Sequence, residues 1–341
     1  MGEHIARFSR AKLRSETVSK ETNMSELLIG TDNGIFRLGN GTQDIQQEAG
    51  PLEITFLVST QTKVFALTRE NALWMRADNN SWKLVNERSV SEEVWAFAAD
   101  PRMDGRLYLG VSPALLYRSD DGGESWTACE SMRHIPGYET WTFPPPPHIP
   151  HVRSIAPDPQ VIGAVYVGVE EGGVFYSRDG GETWESLNEG LYWDVHVVNP
   201  ATDGVRLYAV TGSGFHRSDD GGHHWQCLMA GLERRYTTLC VTAPKQPERL
   251  YTAAAASPPP GWVRGGANAA LYRSEDGGDH WVRLEHGLPP QFDVMVRSLT
   301  VDANGIIYAA AGQELFKSAD GGDNWQLVAG DLPTVRALAA A

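Results

Sequence analysis

The sequence predicts an all-β chain: one domain assembled from a recurring four-stranded unit and closed on itself. Three observations predict it. The octapeptide Ser-x-Asp-Gly-Gly-x-x-Trp occurs five times, at residues 119–126, 177–184, 218–225, 274–281 and 318–325. A second phrase precedes it: an apolar strand, an Asp-Pro or similar turn, and a strand ending Tyr-x-Gly. Its clearest copies are Val94-Trp95-Ala96-Phe97 to Gly110 and Val152-Arg153-Ser154-Ile155 to Gly168. At the C-terminus, Val335-Arg336-Ala337-Leu338 repeats Val296-Arg297-Ser298-Leu299 with no unit following it.

The octapeptide reads as strand, tight turn, strand. Its Asp can bond the amides of its own turn, its Gly pair supplies positive φ, and its Trp returns apolar surface under the hairpin. Five copies of one active site would be odd; five copies of a folding unit are not. The motif resembles the Asp-box, or BNR, repeat, whose signature is Ser-x-Asp-x-Gly-x-x-Trp. The resemblance implies a β-propeller with the box on the turn between the third and fourth strands of each blade. It implies little about function, because the repeat occurs in sialidases, xyloglucan-cleaving enzymes, sortilin-type receptors and photosystem II assembly factors.

In chain order, residues 1–24 read as a flexible tail and residues 25–341 as the propeller. Residues 27–51 begin at a second strand, with Leu27-Leu28-Ile29-Gly30. Residues 54–88 carry a broken box, Ala77-Asp78-Asn79-Asn80-Ser81-Trp82. Five full blades follow, near 94–133, 152–191, 193–234, 237–288 and 296–332. The C-terminal strand supplies the first strand of blade one, which closes the ring without an open edge. This gives seven four-stranded blades, with six as the alternative. Two segments fall outside the repeat: 134–151, between blades three and four, and 257–268, between the second and third strands of blade six. In a propeller both emerge on the face opposite the Asp-box turns, where binding loops on a rigid scaffold concentrate.

Composition narrows the function. A net charge of −14 argues against nucleic acid as a partner. No apolar run is long enough to span a membrane, and no signal peptide is seen. Three cysteines without metal spacing read as free thiols in a reducing compartment, so a cytoplasmic location is expected.

The first strand of each blade should line the channel. Aligning the strand starts puts Arg153, Arg297 and Arg336 at one equivalent position, alongside Trp95, Asp194, Thr238 and Thr55. Guanidinium forks suit a carboxylate or phosphate. The expected ligand is therefore a small anionic or sugar-like molecule, gripped by the three arginines. Trp95, Tyr138, Trp141, Trp193 and Trp262 would form its walls. His148, His151 and Asp194 are the candidates for proton transfer in hydrolase- or lyase-type chemistry, with Glu139, Glu170 and Glu171 as further carboxylates. His148 and His151 alone fall short of a metal site, which needs three or four ligands. Neither a metal nor another cofactor is expected. The sialidase resemblance fails in detail: the first blade reads Ile35-Phe36-Arg37-Leu38-Gly39 in place of Arg-Ile-Pro, and no Tyr–Glu nucleophile pair can be assigned. The alternative is a non-catalytic scaffold that presents the same face to a protein partner.

Overall fold

A computed structural model describes residues 26–39, 44–60, 62–77 and 80–341. The expected tail and Asp78-Asn79 of the broken box lie outside these residues. The described chain forms seven antiparallel four-stranded sheets. Blades two to seven use consecutive strands, with innermost strands Ile54–Ser59, Glu93–Ala99, Val152–Pro157, Val195–Pro200, Tyr236–Ala243 and Val296–Val301. Blade one takes its innermost strand, Val335–Ala340, from the C-terminus and pairs it with Leu27–Thr31. The fold is therefore a closed seven-bladed β-propeller, not a six-bladed one.

The second strands read as continuous apolar runs because they are covered on both faces: Leu27–Thr31, Val64–Thr68, Val165–Val169, Leu207–Thr211 and Ile307–Ala311 are buried throughout. Gly110 and Gly168 follow from the same packing. A Cβ at Gly110 would lie 2.4 Å from the Val152 side chain of the next blade. The Tyr-x-Gly phrase thus marks where one sheet approaches its neighbour.

All five boxes have one geometry. In the first, Ser119 donates to Asp121 (2.8 Å), Gly123 N–H donates to Ser119 Oγ (2.9 Å), and Ser125 N–H donates to Asp121 (3.0 Å). The same Ser–Asp bond at 2.8–2.9 Å recurs at Asp179, Asp220, Asp276 and Asp320. Hydrogen bonds from Ser125 hold the Asp121 carboxyl at about 2, and those from Asn324 hold Asp320 at about 2. Both values lie below the ordinary carboxylate value near 4. The stability these groups contribute is therefore complete above about pH 4 and is lost as pH falls toward about 2. The melting temperature should fall through that window, and less steeply in an Asp121→Asn/Asp320→Asn variant that is already weaker at pH 7. Parallel curves for the two proteins would contradict this.

The boxes also join blades. Trp225, Trp281 and Trp325 donate their backbone N–H groups to Glu189, Ala230 and His286 of the preceding blade, at 2.8, 2.8 and 2.9 Å. This explains the recurring Gly-Leu: Gly231 has φ +80°, and a Cβ there would lie 2.0 Å from the Trp281 carbonyl. Gly231→Ala should cost about 2–3 kcal/mol through backbone strain and lost blade contact. Chemical denaturation checks this, and a loss under about 0.5 kcal/mol would refute it. The arginine before the box serves the same junction. Arg118 reaches the Gly180 carbonyl at 2.7 Å, and Arg273 reaches Gly321 at 2.6 Å.

Among the described residues, no helix is long and apolar enough to cross a membrane. The three cysteines are free.

Candidate ligand site at the channel mouth

In every blade, pairing between the innermost and second strands slips by one residue. The slip leaves one inner-strand residue unpaired: Thr55, Trp95, Arg153, His196, Thr238, Arg297 and Arg336. Such a bulge bends the strand and re-aims the side chain. Here it turns all seven side chains into one cavity of about 890 Å³ at the channel mouth. In blade four, Val152 and Ser154 stay buried between sheets while Arg153 is released toward the channel.

Six of these seven positions match the sequence alignment. The seventh corrects it: blade five contributes His196, not Asp194. The inner strand starts at Val195, whose N–H bonds the Trp193 carbonyl (3.1 Å), so Trp193 and Asp194 belong to the entering turn. Aligning on the buried valine before each bulge (Val152, Val195, Val296, Val335) would have found His196.

The insertions meet the cavity with only one of the residues expected of them, Trp262. Segment 134–151 contributes Phe143, and segment 257–268 contributes Pro259 and Trp262. Trp262 donates to the Ser257 carbonyl and stands edge-on to Tyr236, at 5.8 Å between centroids. Trp141 is a correction: it is buried against Phe175, 4.7 Å between centroids, and belongs to the core. Tyr138 is another, packing on Trp141 and donating to the Ala114 carbonyl at 2.9 Å. Neither lines the cavity. Trp193 is exposed and also lies outside the lining. Their aromatic character gave no way to tell wall from packing.

His148 is exposed, with Nδ1 on the Phe143 carbonyl at 2.8 Å. His151 is fully buried behind the wall. Its ring stacks on Trp95 at 3.6 Å between centroids, and Phe143 meets it edge-on at 4.6 Å. Its Nε2 lies 2.9 Å from Glu170 Oε2. Burial lowers the pKa of His151 despite the carboxylate beside it, which favours the neutral ring donating that hydrogen bond. Burial pushes the Glu170 carboxyl up, but the His151 bond, His196 and Arg153 together hold it below its ordinary value. Arg153 Nε lies 3.3 Å from the same oxygen, and its guanidinium sits 6.0 Å from the centre of the Trp95 ring.

Arg297 and Arg336 differ from Arg153. Neither has an ion-pair partner among the described residues, whereas many of the chain's other arginines reach a carboxylate, such as Arg206 on Glu248 at 2.5 Å. Arg297 is solvent-exposed at the mouth, yet its pKa is lowered by desolvation from the cavity walls, then by the positive charges of Arg336 and Arg153. The three guanidiniums therefore share one field, with one of them neutralised.

A family model described as the BNR/Asp-box repeat matches residues 117–128 and 175–186. Oligoxyloglucan-reducing end-specific xyloglucanase of Emericella nidulans is 30% identical over 103 residues, which is 30% of this chain and 12% of that protein. The GH74 xyloglucanase structure of Xanthomonas campestris superposes with a TM-score of 0.60 at 16% identity, over 80% of this chain and 45% of that one. A candidate 6-phosphogluconolactonase of Bacteroides uniformis superposes with a TM-score of 0.64 at 12% identity, over 93% of this chain and 99% of that one. The chain thus spans less than half the length of these xyloglucanases, and its likeness to the solved structures is one of fold. Repeat, topology and neighbours agree: the chain is a seven-bladed β-propeller built on BNR/Asp-box repeats.

Proposed function

We propose that the chain binds a small anionic or sugar-like ligand, a sugar acid or sugar phosphate, at the channel mouth. The observation that carries this reading is the convergence of Arg153, Arg297 and Arg336 on one cavity, with Arg297 and Arg336 lacking acidic partners among the described residues. Holding unpaired like charges together is unfavourable unless an anion visits. In a chain of net charge −14, such a cluster focuses anions locally. Trp95 and Trp262 line the same cavity and supply apolar wall for a sugar ring. The names of the neighbours, xyloglucanase and 6-phosphogluconolactonase, point to carbohydrate-directed proteins.

Hydrolase- or lyase-type chemistry needs an acid–base pair facing the ligand. His148, His151 and Asp194 are not among the residues that line the cavity, whereas Glu170 and His196 are, so acid–base chemistry there would fall to those two while the arginine cluster supports binding.

A thermal-shift screen tests it, with sugar acids, sugar phosphates, neutral sugars and nucleotides run on the wild type beside an Arg153→Ala/Arg297→Ala/Arg336→Ala variant. A ligand at a hundred times its Kd should add about 2.7 kcal/mol of stability. A shift with acidic sugars in the wild type alone supports the site. A flat panel with both proteins folded removes it and turns attention to a protein partner on the same face.

A further inference from the structure

Behind the arginines, three ligating groups face one gap. His196 is buried, 3% exposed. Its Nδ1 donates to the Thr237 carbonyl, so Nε2 is the nitrogen left to face Asp194 and carries a lone pair in the neutral ring. Nε2 has no hydrogen-bond partner. Asp194 Oδ1 lies 3.3 Å from it and is likewise without a hydrogen bond. Glu170 uses Oε2 for both His151 and Arg153, which leaves Oε1 for another partner. One ligating atom from each of Glu170, Asp194 and His196 lies within 4.8 Å of the other two.

Local backbone makes room for this arrangement. The Gly212 N–H donates to the Asp194 carbonyl at 3.0 Å, and a Cβ at Gly212 would lie 2.0 Å from Asp194 Oδ2. Two carboxylates and a neutral imidazole's lone pair aimed at one another repel unless a proton or a metal ion lies between them. An imidazole whose other nitrogen donates to a backbone carbonyl is the usual arrangement of a metal-bound histidine.

We propose that Glu170, Asp194 and His196 bind a divalent first-row transition metal of the zinc class beside the channel mouth. One imidazole with two carboxylates suits such an ion better than Mg²⁺ or Ca²⁺, which take all-oxygen shells. Three protein ligands leave a fourth position open. The assignment stands independently of the anion reading.

Calorimetry with ZnCl₂ on chelator-treated protein tests it, together with the visible spectrum after CoCl₂ addition. Wild type should bind one Zn²⁺ and give Co²⁺ bands of low coordination number. Asp194→Asn and Glu170→Gln should each bind more than about 100-fold more weakly, beyond the usual cost of losing an outer-shell partner. Gly212→Ala, which displaces the Asp194 carboxylate, should weaken binding too. Melting curves of the metal-free variants establish that they fold. A His224→Ala/His280→Ala variant removes the exposed His–Asp pairs on the box turns and should bind as wild type does. No stoichiometric binding overturns the proposal. So does binding that survives Asp194→Asn and Glu170→Gln but disappears with His224 and His280. Equal affinity for Ca²⁺ refutes the transition-metal assignment.

Discussion

Deleting residues 334–341 should abolish cooperative folding at room temperature. The strand Val335–Ala340 is the innermost strand of blade one and joins the two ends of the ring through a hydrogen-bonded ladder. It pairs with Leu27–Thr31, and Glu26 and Ala341 exchange backbone hydrogen bonds at 3.0 and 2.9 Å. It also holds its neighbours: Leu338 N–H bonds Ser298 Oγ of blade seven at 3.0 Å, and Ser59 of blade two bonds the Ala340 carbonyl at 2.9 Å. Val335 and Leu338 are 1% and 8% exposed. Each buried side chain of this kind contributes about 1.5–3 kcal/mol. Their loss and that of the ladder together rival a typical total stability of about 5–15 kcal/mol. The deletion also exposes the edge of Leu27–Thr31, an invitation to intermolecular pairing. Circular dichroism melts and size-exclusion chromatography check this. A truncated chain that is monomeric and melts within a few degrees of wild type would contradict the closure.

Arg297→Ala should nearly abolish ligand binding while leaving the fold intact or slightly firmer. Arg297 is exposed in the free chain, and a ligand that covers it makes a buried, bonded charge pair; removing one member of such a pair costs about 2–5 kcal/mol, a loss of about 30- to 4000-fold in affinity. Functional sites are often held at a cost to stability, and Arg297 stands against the charges of Arg336 and Arg153 without an acidic partner among the described residues. Its removal relieves repulsion in the ligand-free protein. The expected pattern is a melting temperature equal to or above wild type in buffer, and below it once ligand is present. Arg297→Lys keeps the charge but loses the fork, so it should recover only part of the affinity. A variant that loses stability and keeps affinity would show that Arg297 is structural.

The repeats made most of this fold legible. Blade count, strand order and C-terminal closure all follow from three phrases whose physical causes are local: an amide-binding Asp, positive-φ glycines and a Trp that bonds the preceding blade. Arg153, Arg297, Arg336 and Trp95 were legible for the same reason, since a repeated strand carries its bulge at a repeated place. His196 was missed because the alignment started the blade-five strand at Trp193 rather than at the buried Val195. Tyr138 and Trp141 were misread because an aromatic in an insertion can close the core as readily as it can face a ligand. The Glu170–Asp194–His196 cluster has no spacing signal at all. Its members come from the ends of strands in two blades and meet only when those blades lie side by side.

Titration calorimetry with a sugar acid and its phosphorylated counterpart, on wild type and on the arginine triple-alanine variant, tests the central claim most directly. The account predicts one site per chain in the wild type, weakened by added salt, and no measurable heat in a variant that still melts cooperatively. Equal binding by both proteins would place the ligand elsewhere on the propeller and contradict the assignment of the channel mouth.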